Sequence, residues 1–486
     1  VDARKFSKDR PPDPPGTILQ PTESPIDLET AFRLAGIQNP EILLFRERVT
    51  EAAAARMFTA AQALPSINVG TSADMHQGAL QQSNGNILKV NRDAMYFGLG
   101  ANAIAAGSVN IPGLFYNLNI GVAWFNYLQA RQAEIRSVAA TRTAENDVLL
   151  RVALGYSELL RADAKRVIAA QNRLDAVEVA RLTDAYVKAK AGRKADADRA
   201  AVELQKRDVE LTQAEADTLK ASARLCQDLN LDPSTRLKPI DGWVVPTPIV
   251  PDPISVSELI AIALMQRPEL AERRAEIQEA LYALSSAKVL PFSPNIILGF
   301  SNGGFGGGSN LITDGFIGGN GQPQSGPRFG QFSDRTDTDV VMFWTAQNLG
   351  VGNIAMVRGA SSRVRQANWR QLETLNRVRA EVAESYAMVH ARYAQIDTLA
   401  KAVKSSQEAL EEDTLRIKGR QGLPIELIDS LRLLTRARND YLDSIVDYNR
   451  SQFQLYVAMG KPPAKTLARP VPSDLVPQPK APVDKN

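Results

Sequence analysis

Cysteine is nearly absent. The 486-residue chain holds one, Cys226, which excludes a disulfide framework and any zinc or iron–sulfur centre built from several thiolates. Histidine is almost as scarce. His76 and His390 stand far apart in sequence, so a His-rich metal site finds no support, and neither does a Ser/His/Asp or Cys/His constellation. No charge of one sign dominates: 57 Lys and Arg against 54 Asp and Glu leave a formal net charge of +3. That is not the dense basic field of a nucleic-acid binder. No cofactor or metal is expected, and no enzymatic activity.

Proline is missing from two stretches of about a hundred residues, between Pro112 and Pro233 and between Pro327 and Pro424. Because proline costs a helix interior ~3 kcal/mol, these are where long helices can run. The prolines cluster instead near the N-terminus, between Pro233 and Pro253, and between Pro462 and Pro482. Those zones read as an extended lead-in (1–24), a linker (231–253) and a tail (461–486). Charge is missing from Ala94 to Ala130 and from Val289 to Thr313. Prolines, glycines and asparagines interrupt both windows, so neither is a membrane helix. A lipid-facing β segment and a buried antiparallel sheet of a soluble domain both remain open.

What the chain does have is an internal repeat. Pro25–Arg46 aligns with Pro253–Arg274, Pro40-Glu41 with Pro268-Glu269, Pro65–Gly70 with Pro294–Gly299, and Gly192 with Gly422. The matches keep their order at nearly one offset, which marks a tandem duplication with copies at 25–230 and 254–460. Each copy predicts a helix broken at Pro40 or Pro268, then two strands around a polar or Gly-rich loop. A long helix follows (about 126–190 and 353–420), then a glycine turn and a shorter helix (195–229 and 425–459). Leu149, Ala153, Tyr156, Leu160, Ala164, Val167, Ala170, Leu174 and Val177 follow steps of three and four, a coiled-coil seam. Tyr386, Val389, Tyr393, Ile396, Ala400 and Val403 do the same in the second copy. Some 65 residues at ~1.5 Å each make a rod of roughly 100 Å.

The predicted strands alternate apolar and small or polar residues. Tyr116, Leu118, Ile120, Val122 and Trp124 form one face; Ile67 and Val69, Ile296 and Leu298, and Val340, Met342 and Trp344 begin the others. Trp124 and Trp344 fall at matching strand ends, where an interfacial belt would put them. Gly303–Gly308 reads as a flexible loop, since no Gly-Lys-Ser/Thr follows it to make a phosphate site. Four strands cannot close in lipid, where each unpaired edge group costs several kcal/mol. A membrane reading therefore demands several chains per barrel.

The duplicated Pro-Glu helix breaks, the strand starts at Pro65 and Pro294, the two glycine turns and the sequence Ile425-Glu426-Leu427-Ile428-Asp429 together resemble the TolC-type outer-membrane efflux channel family. The resemblance implies an α+β membrane protein, a homotrimer with a 12-stranded β-barrel in the outer membrane and an α-helical tunnel in the periplasm. It further implies a passive exit duct working with a periplasmic adaptor and an inner-membrane pump. Glu426 and Asp429 would form carboxylate rings at the periplasmic mouth, with Asp196 and Asp198 beside the gate. Two solvated carboxylates in a helix's first turn are the plainer account of the first pair. Gly192, Arg193, Lys194, Gly422, Leu423 and Pro424 would be adaptor-docking tips. Val1-Asp-Ala-Arg-Lys is not an export leader, which for such a protein is expected to have been removed. A coiled-coil scaffold or periplasmic adaptor, acting by binding alone, is the alternative.

Overall fold

A computed structural model describes residues 23–81, 83–103, 110–250, 254–309, 332–419 and 421–464. The helices repeat as the sequence predicts: α1 (Leu28–Gln38) and α2 (Pro40–Ala61) correspond to α5 (Val256–Gln266) and α6 (Pro268–Val289). The long helices α3 (Ile120–Lys188) and α7 (Val351–Lys418) correspond likewise, as do α4 (Lys194–Leu229) and α8 (Pro424–Ala458). Pro40 and Pro268 begin α2 and α6, where a missing N–H costs nothing. Asp27 caps α1 by accepting from the Thr30 N–H at 2.9 Å, and Ser255 caps α5 from Glu258.

The chain folds into two compact units that cut across the sequence repeats. One is helical and comprises residues 1–49, 136–273 and 370–486; the other comprises 50–135 and 274–369 and carries the large sheet. In the helical unit, β1 (Glu23–Ile26) pairs in parallel with β7 (Arg236–Pro239), a short strand inside the Pro-rich linker. Around it α1, α3, α4, α5, α7 and α8 bury one core that includes Phe32, Val152, Tyr156, Leu225, Leu259 and Leu455. A second core joins the ends of α3 and α7 to the starts of α4 and α8 through Val179, Leu182, Ile417, Leu427, Ile428 and Leu431.

The seam read along α3 is only half right. Ala153 and Tyr156 are buried, but Val167 and Leu174 are exposed and Asn172, Ala176, Val179 and Thr183 are buried in their place. A straight helix turns every 3.6 residues, so a strict heptad drifts off one face over several turns.

In the sheet unit, seven paired segments stand where the sequence predicts four strands. β2 (Ser66–Ile67) and β3 (Val69–Gln81) are interrupted at Asn68. β4 (Ile87–Ala101), β5 (Ile111–Pro112) and β6 (Leu114–Asn119) follow, then β8 (Asn295–Ser309) and β9 (Ser333–Phe343). Their registers set them in four lanes. β6 and β4 lie end to end along one edge of β8, at Leu114↔Phe300 to Asn119↔Asn295 and Arg92↔Ser309 to Leu99↔Asn302. β9 covers the other edge of β8, while β3 and β2 cover β4 and β6. The chain leaves its lane after β4 at Gly100, whose φ of +102° and contact with the Ile111 carbonyl leave no room for a Cβ.

Two expectations fail here. The strand read as Tyr116–Trp124 stops at Asn119, whose side chain accepts from the Val122 N–H at 3.0 Å and caps α3. Ile120 and Trp124 are therefore helical, and Trp124 is not at a strand end. The glycine run is not a loop either; Gly303–Gly308 lies within β8, paired with β4 throughout and with β9 as far as Phe305. Aromatic rings explain the composition. A Cβ on Gly303 would fall 2.8 Å from the Tyr96 ring, one on Gly304 2.6 Å from Phe97, and one on Gly306 2.9 Å from Phe332. The glycines are the seats of those rings.

Candidate functional site

Directly opposed residues share a sheet face, so the registers sort the side chains. One face carries Ile67, Val69, Phe97, Leu99, Leu114, Tyr116, Leu118, Ile296, Leu298, Phe300, Val340 and Met342. Several are open to the surroundings: Val69 is 79% exposed, Val340 69% and Met342 54%. The opposite face carries Ser66, Ser72, Asn117, Asn119, Ser301, Arg335, Asp337 and Asp339, with a few apolar residues among them. A sheet apolar outward and polar on its other side suits a wall between hydrocarbon and water. Trp344 follows β9, is 58% exposed and donates its indole N–H to the Phe292 carbonyl at 3.3 Å. Trp124, in the first turns of α3, is 59% exposed and lies 6.2 Å from the Tyr127 ring.

The second set of candidates gathers where the four long and short helices end. Leu427 and Ile428 are fully buried, which turns the flanking acids outward. Glu426 accepts from the Leu423 N–H at 3.2 Å and sits 3.7 Å from Arg416, so its carboxylate reaches back to cap the start of α8. Asp429 is more open and meets Arg432 at 3.5 Å. Asp196 meets Arg199 at 3.2 Å in the first turn of α4, and Asp198 is exposed. Structure thus separates the paired acids: Glu426 is engaged with its own helix, while Asp429 faces outward.

The glycine turns are held tightly. Lys190 takes a left-handed φ of 59°, and a Cβ on Gly192 would press the Tyr186 ring at 2.9 Å. The Tyr186 hydroxyl donates to the Gly422 carbonyl at 3.1 Å, tying the first turn to the second. Arg193, Lys194 and Leu423 are exposed beside these turns, and Pro424 is buried at the first position of α8.

A buried ionic cluster lies behind the tip and was not anticipated from the sequence. Glu203 (α4) is 3% exposed and joins Arg207 one turn on and Arg432 of α8, the latter at 3.0 Å. Arg207 also meets Glu210 at 2.5 Å. Burial raises the Glu203 carboxyl, but the Arg432 hydrogen bond and the Arg207 and Arg432 charges outweigh it, leaving the group below its usual range. The spacing of Glu203 and Arg207 was visible as an i,i+4 pair. Their burial, and the partner from another helix, were not.

A hollow of about 770 Å³ in the helical unit is lined by Val250, Leu259, Tyr386, His390, Tyr393 and Tyr448. Its one histidine is stacked edge-on against Tyr386 at 4.3 Å. Among the described residues, no three His, Cys, Asp or Glu are grouped to hold a metal ion. Among them, too, no helix is long and apolar enough to cross a membrane.

The four-lane sheet with an apolar face and the duplicated long-and-short helix pairs give this chain the fold of solved outer-membrane channels. Three solved structures make the likeness specific. It matches the outer-membrane channel OprN with a TM-score of 0.71 over 90% of both chains at 19% identity. It matches the CmeC outer membrane channel of Campylobacter jejuni with a TM-score of 0.68 over 92% of this chain and 90% of that one, at 15% identity. The outer membrane protein VceC of Vibrio cholerae gives 0.67 over 89% and 96%, at 14% identity. No family model and no curated protein matches the sequence.

Proposed function

We propose that this chain is a non-enzymatic outer-membrane exit duct of the TolC-type family, serving a tripartite efflux or type I secretion system. The observation that carries the reading is the exposed apolar face of the sheet, backed by a polar face, in lanes whose outer edges have no strand partner among the described residues. Such edges need partners in hydrocarbon. Three copies supply twelve lanes, enough to close a barrel with the polar face around water. Long helices with charged surfaces then continue the conduit into the periplasm, where an adaptor coupled to an inner-membrane pump grips the tips at Gly192, Arg193, Lys194, Gly422, Leu423 and Pro424. Trp124 and Trp344 sit at the membrane boundary in this reading.

At the periplasmic mouth, three copies of Asp429 make a ring favouring cations; Glu426 supports it by fixing the start of α8, and Asp196 and Asp198 lie beside the closing contacts. The test of the whole reading is physical. Purified full-length chain should require detergent, run as a heat-labile trimer and conduct ions across a planar bilayer. A monomer stable in plain buffer and silent in the bilayer would favour the binding scaffold instead.

A further inference from the structure

Part of the polar face of the sheet is covered by the chain itself. After Gly100 the backbone leaves its lane, and Asn102 and Ala103, 0% and 3% exposed, lie over that face. Beneath them Tyr96 is 0% and Ser301 2% exposed, though both belong to the face that otherwise carries polar groups open to water. The crossing is fastened to separate lanes. Ala103 donates its N–H to Ser72 Oγ on β3 at 2.9 Å. Asn102 donates from its amide to Asp337 on β9, and the Arg335 guanidinium donates to the Asn102 carbonyl at 3.4 Å. Arg335 also pairs with Asp337 at 2.9 Å and lies 4.9 Å above the Phe305 ring. Gly303 lets the Tyr96 ring lie flat beneath, since a Cβ there would meet it at 2.8 Å.

We infer that Asn102 and Ala103, pinned by Ser72, Arg335 and Asp337, form an inward step that narrows the water-filled barrel and sets a size limit for solutes separately from the periplasmic tip. The inference rests on the barrel reading, in which the polar face surrounds the lumen. Closure by three chains brings three such steps to one level. Hydrogen bonds to an ion pair suit this task, because charge-assisted contacts hold the Asn102 amide N–H and the Asn102 carbonyl in one place.

Neutral polyethylene glycols of graded size, added to the barrel side of single channels of the full-length protein, measure how far solutes penetrate. Wild type should exclude polymers that the Asn102→Ala/Asp337→Ala double variant admits, with a higher open conductance in the variant. Ser72→Ala, which removes one pin and disturbs little else, should shift the cut-off in the same direction by less. Asn302→Ala, which loses a hydrogen bond to Thr336 on the opposite face, should leave it unmoved. Conducting channels with one polymer cut-off for wild type, the double variant and Ser72→Ala would overturn the step. Wild-type protein that forms no channel at all would overturn the barrel reading beneath it.

Discussion

The helical unit and the sheet unit distribute the same kinds of residue in opposite ways. Helices α3, α4 and α8 put Val152, Leu225 and Leu431 inside, and α7 puts ion pairs such as Lys401–Asp397 outside. The sheet puts Val69, Val340 and Met342 outside and gathers Tyr96, Asn102, Ser301 and Arg335 under its own chain. Burial of apolar area is favourable only against water. A chain that hides its apolar residues in one region and displays them along one face of another is built for two surroundings. The glycine-rich β8 fits this division, since its missing side chains are replaced by rings from neighbouring lanes.

The sharpest way to test the helical side is its buried charge. Glu203→Gln removes the buried carboxylate that Arg207 and Arg432 share; because Arg207 keeps Glu210 and Arg432 is half exposed, the expected loss is about 3 kcal/mol, the lower end for breaking a buried pair. Denaturant unfolding of the purified protein in detergent reads it. The same group gives a pH dependence. Its folded pKa lies below the unfolded value, so its stabilisation is complete above the ordinary carboxylate range and disappears as pH falls through the depressed folded value. Acid titration should show wild type losing that increment while Glu203→Gln does not.

Leu431→Ala, at a fully buried position of the tip core, should cost about 2–5 kcal/mol, read as a lower thermal midpoint. On the sheet, Leu298→Arg places a charge among apolar neighbours and should cost about 2–4 kcal/mol if that face meets the bilayer interior. Assembly of heat-labile trimer in membranes measures this; normal assembly would erase the contrast between the units. A functional separation follows at the tip. Asp429→Asn should lower cation selectivity, seen as a shift in reversal potential, more than Glu426→Gln does, because Glu426 is occupied with the Leu423 N–H. Smallest of all, Lys401→Ala removes a pair exposed on both sides and should change stability by less than about 0.5 kcal/mol.

Much of the fold was legible because it is written locally. Pro40 and Pro268 fix where helices restart, the Pro-free stretches fix the length of α3 and α7, and Gly192 and Gly422 mark the turns. The candidate acids were legible too, through the apolar pair Leu427 and Ile428 between them. Tyr186, reaching from one turn to the other, left no signal, because its partner is a backbone carbonyl more than two hundred residues away. The Asn102–Asp337 pin was hidden for the same reason.

By itself, then, the sequence determined the kinds of element, their lengths, their breaks and their duplication, all set by backbone propensity over a few residues. Only the tertiary structure decided that a glycine run is a strand, that Trp124 belongs to a helix, and which acid at the tip is the more exposed. Those outcomes turn on pairing and packing between distant segments. Alternation or charge along the chain cannot encode which neighbour will fill the space above a glycine or claim a carboxylate.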